Sequence, residues 1–414
     1  MTVAVTNIGQ LLTLAGAAHP RTGKELRDLG ILTDAALIVD AGRIVAVGSR
    51  VDLAPQIAAA STVIDAEGAC VTPGFVDAHT HLVFAGDRAA EFEQRIDGAT
   101  YQEIAASGGG ILRTVKLTGE ASEDALLQQS QKHLQWMLRG GTTTLEVKSG
   151  YGLTLDAELK MLRVIKRLNE SSATTLLPTL LGAHALPAEF ASHREYYVRW
   201  VIDELIPLVA REKLAVFSDV FCDDHAFTVA EARQIQLAAR AHGMALRLHA
   251  EQFRPGTGAA LAAEVGALTA DHLETIEQPE VDALRKAQVQ PVLLPGSVFA
   301  LSRTQYPPAR RMVEGGLAIV LATDFNPGSS PIASMPFTIS LACVAMRLTP
   351  AEAITAATIN AAYSLQQAHR VGSLEVGKQA DFLIHEFDDY RQLAYFIAAP
   401  MRPRVFVAGA EQVL

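Results

Sequence analysis

Two histidines separated by one residue, His79 and His81, follow the short apolar run Phe75-Val76-Asp77-Ala78. In an extended strand alternate side chains share a face, so the two imidazoles project together. Such a pair suits a divalent or trivalent cation with nitrogen and oxygen ligands. Alone it is a weak motif that many chains contain by chance. It gains meaning only if other strand ends supply the missing ligands.

Further donors do stand at the ends of apolar runs. Leu246-Arg247-Leu248-His249 leads into Ala250-Glu251-Gln252, Ala267–Ala270 into Asp271-His272, and Ala318–Thr323 into Asp324-Phe325-Asn326-Pro327. Taken singly, His249 reads as a core or surface histidine and Asp324 as a turn or helix cap. Taken with His79 and His81, three imidazoles and one carboxylate converge from strand ends, the donor set of a metal centre. A metal held there brings the pKa of water towards ~7.

Those donors need a scaffold that gathers distant strand ends. The strand candidates are Phe75–Ala78, Thr142–Val147, Thr174–Leu180, Val216–Phe221, Ala245–His249, Ala267–Ala270, Pro291–Leu294 and Ala318–Thr323. Several are apolar throughout, the texture of parallel strands covered on both faces. Helical periods alternate with them: Leu155, Leu159, Leu162, Ile165 and Leu168 recur at three- and four-residue steps. Ser122 reads as an N-cap before Glu123-Asp124, and Gly140-Gly141 closes that helix. These strand–helix units predict an α/β fold, a closed (β/α)8 TIM-like barrel with its chemistry at the C-terminal strand ends. An open doubly wound sheet is the alternative, but the Gly-rich phosphate fingerprint expected after its first strand is absent. Gly108-Gly109-Gly110 follows no strand and reads as a flexible loop or as the hinge of a lid.

Both ends of the chain differ from the middle. Ala36–Asp40 and Arg43–Gly48 flank Ala41-Gly42 as a hairpin, and Ser61–Asp65 continues the β character up to a turn at Glu67-Gly68. Ala380–Ile384 and Arg404–Gly409 look alike. A small β-sandwich built from residues 1–70 and 371–414 is expected, flanking a barrel at 71–370.

The bulk numbers agree. With 414 residues, 49% of them hydrophobic and 19% charged, there is material for a large core. A net charge of −10 without a basic run argues against nucleic-acid or anionic-membrane partners, and no run of ~18 apolar residues suggests a span. Cys70, Cys222 and Cys343 lie far apart, which indicates neither a thiolate zinc site nor a disulfide framework and fits a reducing cytosol. No signal-peptide pattern opens the chain, so a cytoplasmic protein is expected.

Val71-Thr72-Pro73-Gly74-Phe75-Val76-Asp77-Ala78-His79-Thr80-His81 resembles the entry motif of the amidohydrolase superfamily of metal-dependent hydrolases, and Gly372–Phe382 resembles its return into the β-sandwich. His81–Arg88, Ser107–Ile111, Glu146–Gly152 and Thr323–Ser329 are similar to the branch that opens an imidazolone ring in histidine degradation. That resemblance implies hydrolysis of the ring amide C–N bond of 4-imidazolone-5-propanoate, giving N-formimidoyl-L-glutamate. Two-metal members use a carbamylated lysine at the end of strand four. Here that end reads Phe221-Cys222-Asp223-Asp224-His225, and Lys148 lies at strand two. One ion per subunit is therefore expected, Zn2+ or Fe3+ ahead of Mn2+, held by His79, His81, His249 and Asp324.

The same resemblance assigns roles around the ion. Asp324 also takes the water proton, and His272 either hydrogen-bonds the nucleophile and developing oxyanion or orients Asp324. Arg88 would pair with the substrate propionate. Tyr151 and His184 are substrate contacts, and Tyr101, beside the glycine run, is a further candidate. Asn326, Gly328 and Ser329 would add side-chain and backbone hydrogen bonds. Gln252 stands where related deaminases carry a proton-shuttling glutamate; an amide cannot shuttle protons but can hydrogen-bond the ring. A deaminase acting on a heterocyclic ring is thus the disfavoured rival. A catalytically dead assembly barrel is a second rival, opposed by the complete ligand set. A small-molecule substrate and a homodimer complete the expectation.

Overall fold

A computed structural model describes residues 2–413 apart from 17, 100–102, 104–107 and 224–225. Its strands form two eight-stranded sheets. The first sheet contains β1 (Val3–Leu12), β2 (Ile31–Asp40), β3 (Arg43–Ser49), β4 (Thr62–Asp65) and β5 (Cys70–Pro73). The expected hairpin joins β2 to β3. Its turn residues Ala41 and Gly42 have φ of 47° and 78°, the left-handed pair that matches strand twist. β1 pairs with β2 along its length and carries both β4 and β5 on its other edge.

The far end of the chain completes this sheet. β14 (Phe382–Ile384) lies antiparallel to β5, and β15 (Arg404–Val407) and β16 (Ala410–Glu411) follow outside it. The Ile44 amide donates to the Lys378 carbonyl and the Ala380 amide to the Gly42 carbonyl, both at 2.9 Å, so the two ends of the sheet are drawn together. Val5, Leu37, Val39, Phe382 and Phe406 fill the space enclosed. The two chain ends thus build one mixed sheet apart from the barrel, as their β-rich sequence anticipates.

The second sheet is parallel throughout and its strands neighbour one another in chain order. They are β6 (Phe75–Asp77), β7 (Thr142–Lys148), β8 (Thr175–Ala183), β9 (Phe217–Cys222), β10 (Ala245–Ala250), β11 (Thr269–His272), β12 (Gln290–Leu293) and β13 (Val320–Leu321). Each expected strand is present; the last is shorter than its apolar run. Closure of the barrel is mostly polar. The Thr323 amide and hydroxyl donate to the Asp77 carboxylate at 3.1 and 2.6 Å, tying β6 to the end of β13. The Asp324 amide donates to the His79 carbonyl at 3.1 Å and the His81 amide to the Phe325 carbonyl at 2.9 Å.

Helices cover the outside. Leu155–Ser171 buries Leu159, Leu162, Ile165 and Leu168, the periodic residues of the sequence. Burial of each such side chain contributes roughly 1.5–3 kcal/mol. The Ser122 hydroxyl accepts from the Ala125 amide at 3.2 Å at the start of Glu123–Arg139, and Gly140 ends that helix.

One buried carboxylate links the N-terminal segment to the barrel. Glu352 closes a capping box with Thr349 and accepts both Arg310 Nη atoms and Arg27 Nε, each at 3.0 Å. Burial opposes its charge, but these donors outweigh it and hold Glu352 down to about 2. A carboxyl whose pKa falls on folding stabilises above its unfolded value and loses that contribution as pH drops through the folded value. Glu352→Gln is expected to lower unfolding free energy by roughly 1–3 kcal/mol at pH 7. The deficit should shrink between about pH 4.5 and 2, read from urea melts across that range.

Candidate metal centre and active site

The interior of the barrel is charged, which the apolar texture of the strands concealed. Along β7, Thr142, Thr144, Glu146 and Lys148 share one face while Leu145 and Val147 share the other. Lys148 Nζ donates to Glu146 Oε1 and to Asp219 Oδ2, both at 2.8 Å. Asp219 lies on β9, two strands away, so this contact crosses the inside of the barrel. From β10, Arg247 Nη2 donates to the Ala78 carbonyl at 2.7 Å and lies 3.6 Å from Asp271 Oδ2 on β11. All five charged residues are buried.

The predicted ligands sit above this layer. His79 Nδ1 lies 2.6 Å from Asp271 Oδ2. Burial, helped by the nearby Lys148 charge, keeps His79 well below the ordinary imidazole range, so the ring is neutral. With Nδ1 engaged by Asp271, Nε2 is the nitrogen that faces the cluster. His249 Nδ1 lies 3.0 Å from Asp219 Oδ2, an ion-pair distance without hydrogen-bond alignment. His79 Nε2 and His81 Nε2 both lie 3.6 Å from Asp324 Oδ1. His79, His81 and Asp324 present ligand atoms within 4.8 Å of one another, and so do His79, His249 and His272. The four predicted ligands thus gather as two trios sharing His79, with His272 in the second.

The donor chemistry fits a metal ion. Among the described residues, His79 Nε2 and Asp324 Oδ2 are buried without a hydrogen-bond partner, an expensive state for polar atoms that a cation relieves. Carboxylates behind ligand imidazoles are the usual means of fixing tautomer and ring orientation. Burial pushes Asp324 up to about 7 against the pull of His272. For His272, burial works against the charge, but Glu274, 3.3 Å from Nδ1, outweighs it and raises the imidazole above its ordinary range. Left-handed backbone marks these strand ends: φ is 81° at His272 and 54° at Asp324. Such conformations cost energy and cluster at functional sites.

The expected substrate residues divide. His184 stacks on His81 with ring centroids 5.0 Å apart, and Tyr151 lies 5.7 Å from His81 and 5.2 Å from His184. Burial drives His184 down to about 3 and raises the Tyr151 phenol, so both are neutral donors or acceptors. Arg88 Nε donates to the Thr114 hydroxyl at 2.9 Å, and its guanidinium lies against Gly328. A Cβ on Gly328 would fall 2.3 Å from Arg88 Nη1, so a larger residue there would push the guanidinium aside. Gln252 is buried, and its carbonyl accepts from Arg303 at 2.9 Å.

Asn326 is engaged within its own loop. Its Oδ1 accepts from the Gly328 and Ser329 amides at 2.8 and 2.7 Å, and Nδ2 donates to the Asp324 carbonyl and Ser329 hydroxyl at 2.7 and 2.9 Å. It braces the segment behind Asp324. Glu251 turns away from the centre and accepts from the Gly258 and Ala259 amides. Tyr101 lies outside the described residues.

Several contributors escaped the sequence reading. Asp219, Asp271, Glu146 and Arg247 form the layer beneath the predicted ligands, and Lys148 looked merely misplaced for bridging. Glu158 organises the segment carrying Tyr151: its carboxylate accepts from the amides of Gly150, Gly152 and Leu153. The available signal was charge at alternate positions inside apolar runs, as in Glu146-x-Lys148 and Arg247-x-His249.

With the geometry established, the sequence profile of the amidohydrolase family matches residues 70–410. This chain belongs to the amidohydrolase family. Among amidohydrolases, an imidazolonepropionase of Solibacter usitatus is 53% identical over 406 residues, covering 98% of this chain and 97% of that one. An imidazolonepropionase of Geobacillus kaustophilus is 48% identical, with coverage of 97% and 95%. Among solved structures, a zinc-bound adenosine deaminase from Xanthomonas campestris superposes with a TM-score of 0.73 at 19% identity, covering 100% of this chain and 93% of that one. A triazine hydrolase variant gives 0.75 at 17%, with coverage of 99% and 94%. At those identities the two structures speak for the fold alone. No helix among the described residues is long and apolar enough to cross a membrane.

His249→Ala removes an imidazole from the cluster and leaves Asp219 without its ring partner. The variant is expected to lose most of its bound metal in elemental analysis after dialysis, while a folded variant at full occupancy would contradict the ligand set.

Proposed function

We propose that this amidohydrolase hydrolyses the ring amide C–N bond of 4-imidazolone-5-propanoate to N-formimidoyl-L-glutamate, the imidazolonepropionase step of histidine degradation. The observation that carries this reading is the 53% identity to an imidazolonepropionase over nearly the whole of both chains. The site geometry supports it: a convergent His and Asp cluster, two neutral aromatic donors and one arginine at its mouth.

His79, His81, His249 and Asp324 would hold one ion, zinc or ferric iron ahead of manganese. When bound, that ion supplies Lewis acidity and makes water a competent nucleophile near neutral pH. The remaining work falls to side chains. Asp324 holds a proton at its carboxylate after water adds to the ring carbonyl, and returns it to the ring nitrogen as the C–N bond breaks. His272, raised by Glu274, donates towards the oxygen that gains charge. Arg88 pairs with the propionate, and its position over Gly328 sets the distance between that anchor and the scissile bond. Tyr151, His184, Gln252, Gly328 and Ser329 contact the ring and side chain, and Asn326 shapes the loop that presents them. Tyr101 remains a proposed contact on sequence grounds.

A deaminase is the second reading, because adenosine and guanine deaminases share the fold. Gln252 in place of a proton-shuttling carboxylate opposes it. The proposal includes a cytoplasmic homodimer without membrane or nucleic-acid partners, consistent with the net charge of −10.

Metal-loaded protein incubated with the imidazolone is expected to abolish its ultraviolet absorbance with one formimidoyl product. Unchanged imidazolone together with ammonia release from a nucleobase would overturn the assignment. Arg88→Ala is expected to raise KM by roughly ten- to a hundredfold, the value of a lost charge-assisted hydrogen bond, with a smaller change in kcat. An unchanged KM would remove Arg88 from the site.

A further inference from the structure

We propose that Lys148 and Arg247 are positioning residues for the metal centre, each pinning a carboxylate behind a ligand imidazole. The inference rests on reading His79 and His249 as metal ligands, and it extends that reading one layer deeper into the barrel.

The geometry repeats twice. In one chain of contacts, Lys148 Nζ donates to Asp219 Oδ2 at 2.8 Å, and the same oxygen lies 3.0 Å from His249 Nδ1. The other oxygen, Asp219 Oδ1, accepts from the His249 backbone amide at 3.2 Å. One oxygen of that carboxylate is therefore held by Lys148 and the other by the His249 amide, which together set it beside the ring. In the other chain, Arg247 Nη2 lies 3.6 Å from Asp271 Oδ2, which is 2.6 Å from His79 Nδ1. The same nitrogen donates to the Ala78 carbonyl at 2.7 Å, so Arg247 holds both the backbone before His79 and the carboxylate behind its ring.

Stability alone is a poor reason for this arrangement. A barrel interior is ordinarily packed with branched apolar side chains. Replacing a buried ion network with well-packed hydrophobic residues is often neutral or stabilising. Five charged residues are nevertheless spent here, and each cation contacts a carboxylate that ends on an imidazole. Without Lys148, Asp219 keeps the His249 amide on one oxygen and its other oxygen can swing away from the ring; without Arg247, Asp271 keeps His79 Nδ1 and loses the cation that faces the same oxygen. A rotated carboxylate releases the ring, and the nitrogen facing the cluster loses its aim. Glu146 accepts from Lys148 on the opposite side and reaches no imidazole; its other oxygen accepts from the Thr80 amide at 3.2 Å, a bond that a glutamine oxygen at this position can still accept.

The test uses the full-length protein loaded with metal. Wild-type metal content is measured first; wild type that binds no ion overturns the metal reading itself, separately from the relay. Lys148→Met is then challenged with dipicolinate, and its cobalt-substituted form is examined by visible absorption. It is expected to release metal roughly ten- to a hundredfold more readily, with shifted cobalt bands, while still melting cooperatively. Should Lys148→Met fail to fold, Glu146→Gln/Lys148→Met removes one charge of each sign and is carried through the same two readouts with the same expectation. Glu146→Gln alone is expected to change retention by well under tenfold. A folded Lys148→Met or double variant with wild-type retention and an unshifted cobalt spectrum overturns the proposal.

Discussion

Lys148 lies wholly buried between Glu146 and Asp219, 2.8 Å from each. Removing such ions from water costs several kcal/mol apiece, and only complete pairing offsets it. That requirement constrains much of the barrel. A slip of one residue in β7, β9 or β10 would turn these charges towards the helices and bring leucines and valines inward. The ion layer therefore selects one register among those that the apolar residues alone would tolerate. The imidazoles of His249 and His79 stand on that register, because Asp219 and Asp271 are at once members of the layer and neighbours of those rings.

The strand ends follow the same logic with neutral partners. A loop has no ladder to satisfy its amides, so side-chain oxygens take them. Glu158 gathers the amides after β7, Glu251 those that open the helix Gly258–Glu264, and Asn326 those after β13. Each holds a loop in the shape that a ligand needs before any ligand arrives. The mouth of the site is thus assembled from segments fixed individually, above a core fixed collectively. That order of construction keeps reacting groups within the small tolerances catalysis requires.

Much of this was legible in the residues. The eight apolar runs, the helical period at Leu155–Leu168 and the hairpin at Ala41-Gly42 are local patterns, and local patterns survive folding. His79, His81, His249 and Asp324 stood out because each closes an apolar run. The layer beneath them was harder to read. Lys148 and Asp219 are 71 positions apart, and a lysine at the end of a threonine-rich strand looks like a surface residue until its partner is known. Asn326 was read as a ligand contact because its loop adjoins Asp324. Whether an amide faces outwards or closes its own turn depends on backbone angles that composition does not encode.

The shared sheet of the two chain ends bears on how the molecule is made. One edge of β5 is occupied by β1 early in the chain, but the other pairs with β14, and Pro73 and Phe382 are partners across 309 positions. At ribosomal speeds of about 5–20 residues per second, that edge waits roughly 15–60 s for its neighbour. An open strand edge is a template for other chains during that interval. The nascent protein therefore has to grow the whole barrel segment before its first sheet can be finished.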